Sequence, residues 1–195
     1  MLTDNQKKVI RYLIVTKDSF PSINKVAKDN NLSPNGALKI LNKLKMEGIL
    51  KIKEISNIKS YYIDFEQPLS KNILEWSLIS KTNNKIQNRY NDLVPLKKFT
   101  DICILFGSYI QNKKTPNDID ILFVLDKKNF KKYKQTIKDT KNIIPIELHD
   151  MIQTKEDLIK NIQDKKEIIL KIIQTGHILW GHTNLIEVLI DAYKR

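Results

Sequence analysis

The chain has 195 residues, 41% of them hydrophobic, with Lys+Arg 34 against Asp+Glu 22 for a net charge of +12. That length holds one large or two small domains; the hydrophobic fraction excludes a disordered chain, and a single cysteine excludes a disulfide-stapled scaffold. Residues 1–20 hold no unbroken apolar stretch and no run approaches the ~18 residues of a membrane span, so a reducing cytoplasmic setting is expected, with no membrane partner and Cys103 buried in a strand. Along the chain, Thr3 followed by Gln6 reads as a capping box, and Val9, Ile10, Leu13 and Ile14 recur at helical spacing. Ser22 caps a short second helix with Ile23, Val26 and Ala27 on its apolar face, ended at Asn30-Asn31 because Asn tolerates the left-handed conformation of a helix terminus. Ser33-Pro34 opens a third helix, whose inward stripe of Ala37, Ile40, Leu41 and Leu44 stops at Gly48.

The third helix presents Asn35, Lys39, Asn42 and Lys43 opposite its apolar stripe, side chains able to donate to phosphates or base edges. Two strand-like runs over 49–55 and 59–65 follow, parted by Ser56-Asn57, with period-two alternation. Three helices and a β-hairpin in this order resemble a winged helix-turn-helix, and the resemblance implies DNA contact through Asn35, Lys39, Asn42 and Lys43 of a recognition helix and Lys53 and Lys59 on the wing. Charge supports this only where it is concentrated. With 31 Lys, 31 Ile and 18 Asn against 3 Arg, much of the basicity is what an AT-rich genome would write. Residues 1–65, however, carry 12 basic and 6 acidic groups against 22 and 16 over the remaining two thirds. The domain division expected is 1–66 for this module, 67–97 for a helical linker and 98–195 for the rest.

In the linker, Gln67-Pro68 breaks the pattern and Ser70 caps a helical stretch to residue 91, interrupted by the polar run 81–85. Ile73, Trp76, Ile79, Ile86, Tyr90 and Leu93 supply its apolar positions, with Trp76 expected in the core. Next, an apolar strand over 102–106 ends at Gly107-Ser108. After nine intervening residues Asp118-Ile119-Asp120 opens a second strand, and a third run over 143–148 contains Glu147. A glycine after a strand lets backbone approach a phosphate, and the serine adds a hydroxyl and an amide. Carboxylates at i and i+2 on a strand share one face, so Asp118 and Asp120 can hold divalent ions between them, with Glu147, or in its place His149 or Asp150, as third ligand, although His149 reads first as a satisfied structural histidine. Such a set suits phosphoryl chemistry, the metal activating an attacking hydroxyl and neutralising a triphosphate. Helices over 159–173 and 185–193 are expected to cover the sheet.

Leu105-Phe106-Gly107-Ser108 with Asp118-Ile119-Asp120-Ile121-Leu122 resembles the signature of the DNA polymerase beta nucleotidyltransferase superfamily, most of all its minimal, MNT-type members. Residues 176–181, Gly-His-Ile-Leu-Trp-Gly, are similar to the strand that follows the last carboxylate in such proteins. The resemblance implies an α+β or α/β chain in which a winged helix-turn-helix precedes a small domain with a mixed β-sheet flanked by helices. It implies Asp118, Asp120 and Glu147 as catalytic metal ligands, Gly107 and Ser108 as nucleotide-binding residues, Mg²⁺ or Mn²⁺, and a nucleoside triphosphate such as ATP. The acceptor it implies is a protein hydroxyl, such as a tyrosine on a HEPN-type toxin partner, or a nucleic-acid end. The antitoxin of a toxin–antitoxin pair, a homodimer, or a DNA-binding regulator that only senses a nucleotide fits the same pattern. Family members carry Gly-Ser-Tyr-Ala-Arg-Gly where this chain has Gly107-Ser108-Tyr109-Ile110-Gln111-Asn112, so Lys113 and Lys114 are the candidates to supply the missing positive charge to the nucleotide.

Overall fold

The computed structural model describes residues 2–193 except 17–18, 56, 112–115 and 117. No described helix is long and apolar enough to cross a membrane. The chain divides into two compact units, residues 1–78 and 79–195.

In the first unit α1 (Asp4–Val15), α2 (Ile23–Asp29) and α3 (Pro34–Met46) lead into β1 (Leu50–Ile55) and β2 (Ile58–Ile63), followed by α4 (Pro68–Leu78). The local chemistry sets each boundary. Thr3 and Gln6 exchange both capping-box hydrogen bonds, Ser22 and Ser33 accept from Lys25 N and Gly36 N, and Asn31 turns the chain at φ 54°. Leu13, Ile14, Leu41, Leu44 and Ile63 are among the side chains buried here. β1 and β2 pair antiparallel with Ile55 opposite Ile58, and Tyr12 Oη donates to Asp29 Oδ2 at 2.8 Å to tie α1 to α2.

The stretch expected to be a linker helix is two helices, and they fall in different units. α4 begins at Pro68 itself rather than at a Ser70 cap, and it buries Leu74 and Leu78 instead of Ile73 and Trp76; Trp76 is 56% exposed. Arg11 accounts for this register. Its buried guanidinium donates from Nε to Ser77 O at 2.9 Å and from Nη2 to Leu78 O, meeting carbonyls that the end of α4 leaves unpaired. Burial lowers the Arg11 pKa to about 10, so the group is still charged at neutral pH. Arg11→Met keeps the stem and removes the donors; urea denaturation should show this unit losing about 2–4 kcal/mol.

The second unit begins with α5 (Asn84–Leu93), capped by Asn83, and a 3₁₀ turn over Val94–Phe99. Then come β3 (Ile102–Phe106), a 3₁₀ turn (Gly107–Gln111), β4 (Asp118–Val124), α6 (Phe130–Ile143), β5 (Glu147–Gln153), α7 (Lys155–Gln163), α8 (Glu167–Thr175), β6 (His177–Trp180) and α9 (His182–Tyr193). The sheet order is β5-β4-β3-β6, with β3 antiparallel to both β4 and β6 and β4 parallel to β5. A parallel pair needs a crossover, and α6 supplies it. Alternation on β4 sends Ile119, Ile121 and Phe123 into one core with Tyr133 and Ile137 of α6, and Leu125 just past the strand joins them. Phe123 meets the Tyr133 ring edge-on at 5.3 Å. Cys103 is fully buried in β3, as expected.

Two sequence expectations shift here. The third strand starts at Glu147 rather than ending just after it, because α6 runs on to Ile143 and Pro145 then breaks the chain. The helix expected over 159–173 is two helices, α7 and α8, parted at Lys165, which takes a left-handed φ of 54°.

Candidate active site

The site is built where β3, the turn after it, β4 and β5 meet. β3 delivers Phe106 opposite Asp120, so the chain leaving the strand passes directly beside that carboxylate. The passage is tight. Gly107 has φ +72°, and a Cβ there would stand 2.1 Å from Asp120 Oδ2. Only glycine allows both the backbone angle and the approach. Ser108 Oγ then donates to Asp118 Oδ1 at 3.2 Å, so the Gly-Ser turn bonds one oxygen of Asp118 and packs beside one of Asp120.

The remaining carboxylate oxygens point the same way. Asp118 and Asp120 lie two apart on β4 and project to one face, while Ile119 and Ile121 between and beyond them are fully buried on the other. The parallel register sets Glu147 beside Asp118 and His149 beside Asp120. His149 Nδ1 lies 3.8 Å from Asp118 Oδ2 and 3.7 Å from Asp120 Oδ1, while Nε2 lies 3.1 Å from Glu147 Oε1. Burial first, and the charge of Asp118 second, raise the Asp120 pKa above the ordinary carboxylate value, with His149 opposing the shift.

These residues fit a divalent cation. One ligand atom each from Asp118, Asp120 and His149 lie within 4.8 Å of one another, and the donors are those that hard and borderline cations take. Glu147, the third carboxylate expected from sequence, is not in that compact set; its side chain is 76% exposed and faces the far nitrogen of His149. Asp150, the other alternative, serves the fold instead. It accepts from Tyr133 Oη at 2.8 Å and pairs with Lys141 at 2.6 Å.

Lys113 and Lys114, expected at the nucleotide, lie outside the described residues, as does Asn117. Sequence reasoning did not single out the cations that the structure places behind the turn. Lys85 of α5 donates to Tyr109 O at 2.6 Å and lies 4.1 Å from the Tyr109 ring centroid, which fixes the turn from its back. One helical turn on, Arg89 pairs with Asp92 at 2.8 Å, and its charge is felt by the Tyr109 hydroxyl. A contact spanning 24 residues carries no local signal.

In the first unit Asn35, Lys39, Asn42, Lys43, Lys53 and Lys59 are all exposed. Their surroundings differ. Asn42 Oδ1 accepts from Tyr61 Oη at 2.7 Å, which orients its amide. Lys43 lies 3.9 Å from Glu47, Lys59 lies 3.8 Å from Glu54, and Lys53 covers the Phe20 ring at 4.2 Å.

A glycine-serine turn holding an Asp-x-Asp pair on the adjacent strand of a mixed sheet defines a phosphate-handling, metal-binding class of site. The family model described as polymerase beta, nucleotidyltransferase matches residues 84–183, which is 100 of the 195 residues. The chain belongs to that family, and its chemistry is nucleotidyl transfer, which in such domains generally uses a nucleoside triphosphate and a divalent metal. Neither the curated proteins nor the solved structures compared with the chain gave a match.

Proposed function

We propose that the protein transfers a nucleotidyl group, AMP from ATP, to a protein hydroxyl or a nucleic-acid end, and that its first unit is a winged helix-turn-helix that brings this activity to DNA. The observation that carries the transferase reading is the Asp118–Asp120 pair held by the Gly107-Ser108 turn inside the family-matched segment. Asp118 and Asp120 are the residues that would hold Mg²⁺ or Mn²⁺, and the ion when bound neutralises charge on the triphosphate. The chain's own groups do the positioning. Ser108 fixes Asp118, Gly107 lets backbone pass Asp120, and Lys85 pins the turn that the phosphates would meet. The acceptor hydroxyl loses its proton to solvent as its oxygen bonds to the α-phosphorus, the bond from that phosphorus to the bridging oxygen breaks, and pyrophosphate leaves. A protein acceptor, such as a tyrosine of a HEPN-type toxin partner, would make the chain the antitoxin of a pair.

Incubation of the purified chain with labelled ATP, divalent metal and candidate acceptors tests this reading. Covalent label on an acceptor supports it, and no transfer to any acceptor contradicts it. A second reading, a DNA-binding regulator that senses nucleotide or uses this unit as a dimerisation platform, is favoured by Gln111, which stands where the family pattern carries Arg.

The exposed lysines make the DNA proposal quantitative. Lys39→Ala and Lys43→Ala should each weaken binding of duplex DNA roughly equally across sequences and lower the salt slope by about 1. Fluorescence anisotropy over a salt series measures both. An unchanged slope in the double variant would remove α3 from the DNA contact.

A further inference from the structure

We propose that His149 is a metal ligand through Nδ1, with Glu147 as the residue that positions it, and that this nitrogen makes the site select Mn²⁺ over Mg²⁺. The proposal rests on the metal-dependent reading above and assigns its third ligand. Three observations lead to it. The parallel register places Glu147 and His149 on the same face as Asp118 and Asp120, one strand over. Within that face, the imidazole is polarised by its surroundings: Nδ1 looks toward Asp118 Oδ2 and Asp120 Oδ1 at 3.8 and 3.7 Å, while Nε2 looks outward to Glu147 Oε1 at 3.1 Å. The other acidic residue of this strand, Asp150, is held by Tyr133 and Lys141 and does not join the set.

A carboxylate at hydrogen-bond distance from the outer nitrogen is the arrangement that fixes a ligating histidine. It holds the proton on Nε2 and leaves the Nδ1 lone pair for the ion. Ligand bonds of ~2.0–2.2 Å put neighbouring donors in one coordination shell a little over 3 Å apart. The separations from Nδ1 to the two aspartates need only a small inward closure to reach that. Nitrogen in the shell changes which ion is preferred. Mg²⁺ demands oxygen ligands and keeps its waters, whereas Mn²⁺ accepts imidazole nitrogen alongside carboxylate. Replacing a third carboxylate by neutral imidazole also lowers the negative charge of the set by one, which weakens the hold on a strongly hydrated ion most.

The test uses the metal-free full chain with Mn²⁺ as probe and Mg²⁺ as competitor, read by electron paramagnetic resonance. Bound Mn²⁺ should show nuclear modulation from a directly coordinated ¹⁴N, and Mg²⁺ should displace it only at an excess of about tenfold or more. In His149→Asp the nitrogen modulation should vanish and the preference for Mn²⁺ should fall toward parity. Glu147→Ala should weaken Mn²⁺ about 10–100-fold with the nitrogen still coupled, and Glu147→Gln, whose amide oxygen can still accept from Nε2, should recover most of that. The His149 and Glu147 side chains are 52% and 76% exposed, so all three variants should melt as the parent does.

Mn²⁺ bound without nitrogen modulation, an unchanged Mn²⁺ to Mg²⁺ ratio in His149→Asp, or no Mn²⁺ binding at all would overturn the proposal. The two levels fail separately. Nucleotidyl transfer that depends on Asp118 and Asp120 with nitrogen-free Mn²⁺ overturns the ligand assignment alone. Nitrogen-coupled Mn²⁺ in a chain that transfers no nucleotide overturns the transferase reading alone.

Discussion

Asp118→Ala and Asp120→Ala are each expected to cut nucleotidyl transfer by at least about 10³-fold, and the double variant to be scarcely worse than either single one. The expectation follows from how little redundancy the pair has. Asp118 gives one oxygen to the Ser108 hydroxyl, Asp120 has one packed beside Gly107, and each turns its other oxygen toward His149. Removing either leaves a shell with one carboxylate oxygen, which cannot hold a divalent ion against water. Loss of activity should not come from loss of fold. Burial and the neighbouring Asp118 raise the Asp120 pKa, so ionisation of Asp120 opposes folding. The contribution of its protonated form is complete below about 3.8, the ordinary value for an aspartate, and is lost as pH rises through the raised one. At neutral pH and without metal, Asp120→Asn should therefore melt at or slightly above the parent temperature while being inactive. A lower melting temperature would mean that the pair is structural.

Gly107→Ala should be nearly as damaging, by a different route. The added methyl would stand 2.1 Å from Asp120 Oδ2, and the backbone at φ +72° already disfavours any side chain. The left-handed angle costs about 1–2 kcal/mol by itself, and relief of the clash requires Asp120 to swing away from the position in which its other oxygen faces His149. A misplacement on the order of 1 Å in a catalytic group costs about 10²-fold in rate. Steady-state kinetics should place the loss mainly in kcat, with a melting temperature lowered by a few degrees. Full activity in this variant would show that Asp120 needs no fixed position.

How much of this was legible in the sequence divides along local and non-local lines. Thr3, Ser22, Ser33 and Asn31 act on backbone within a few residues, and the structure places them as their spacing predicts. The same holds for Asp118 and Asp120, whose shared face is a property of any strand. Most of what failed was set at a distance. The break at Lys165 is the local exception: Lys165 N donates to Ile162 O and Lys166 N to Asn161 O, but position 165 itself carries no Gly, Asn or Pro to mark a left-handed turn. Trp76 looked like core because its helix has two plausible inward faces, and the choice goes with Arg11, whose bond to Ser77 O spans 66 residues. Which side chain stands closest to Asp118 and Asp120 depends on the register of a parallel pair closed by a helix, so Glu147 and His149 could not be ranked until β4 and β5 were aligned. Composition points elsewhere: a net charge of +12 suggests nucleic acid, yet the side chains gathered in the family-matched segment into a set that could hold a metal include two of the acidic residues it outnumbers.

Position of the label in the product tests the central claim most directly. The chain is incubated with metal and acceptor in parallel with ATP labelled on the α-phosphate and on the γ-phosphate. The account predicts that α-label becomes covalent on the acceptor while γ-label appears only in pyrophosphate, and that both signals vanish in the Asp118→Ala, Asp120→Ala double variant. Label from the γ-phosphate on the acceptor, or transfer undiminished in the double variant, would contradict it.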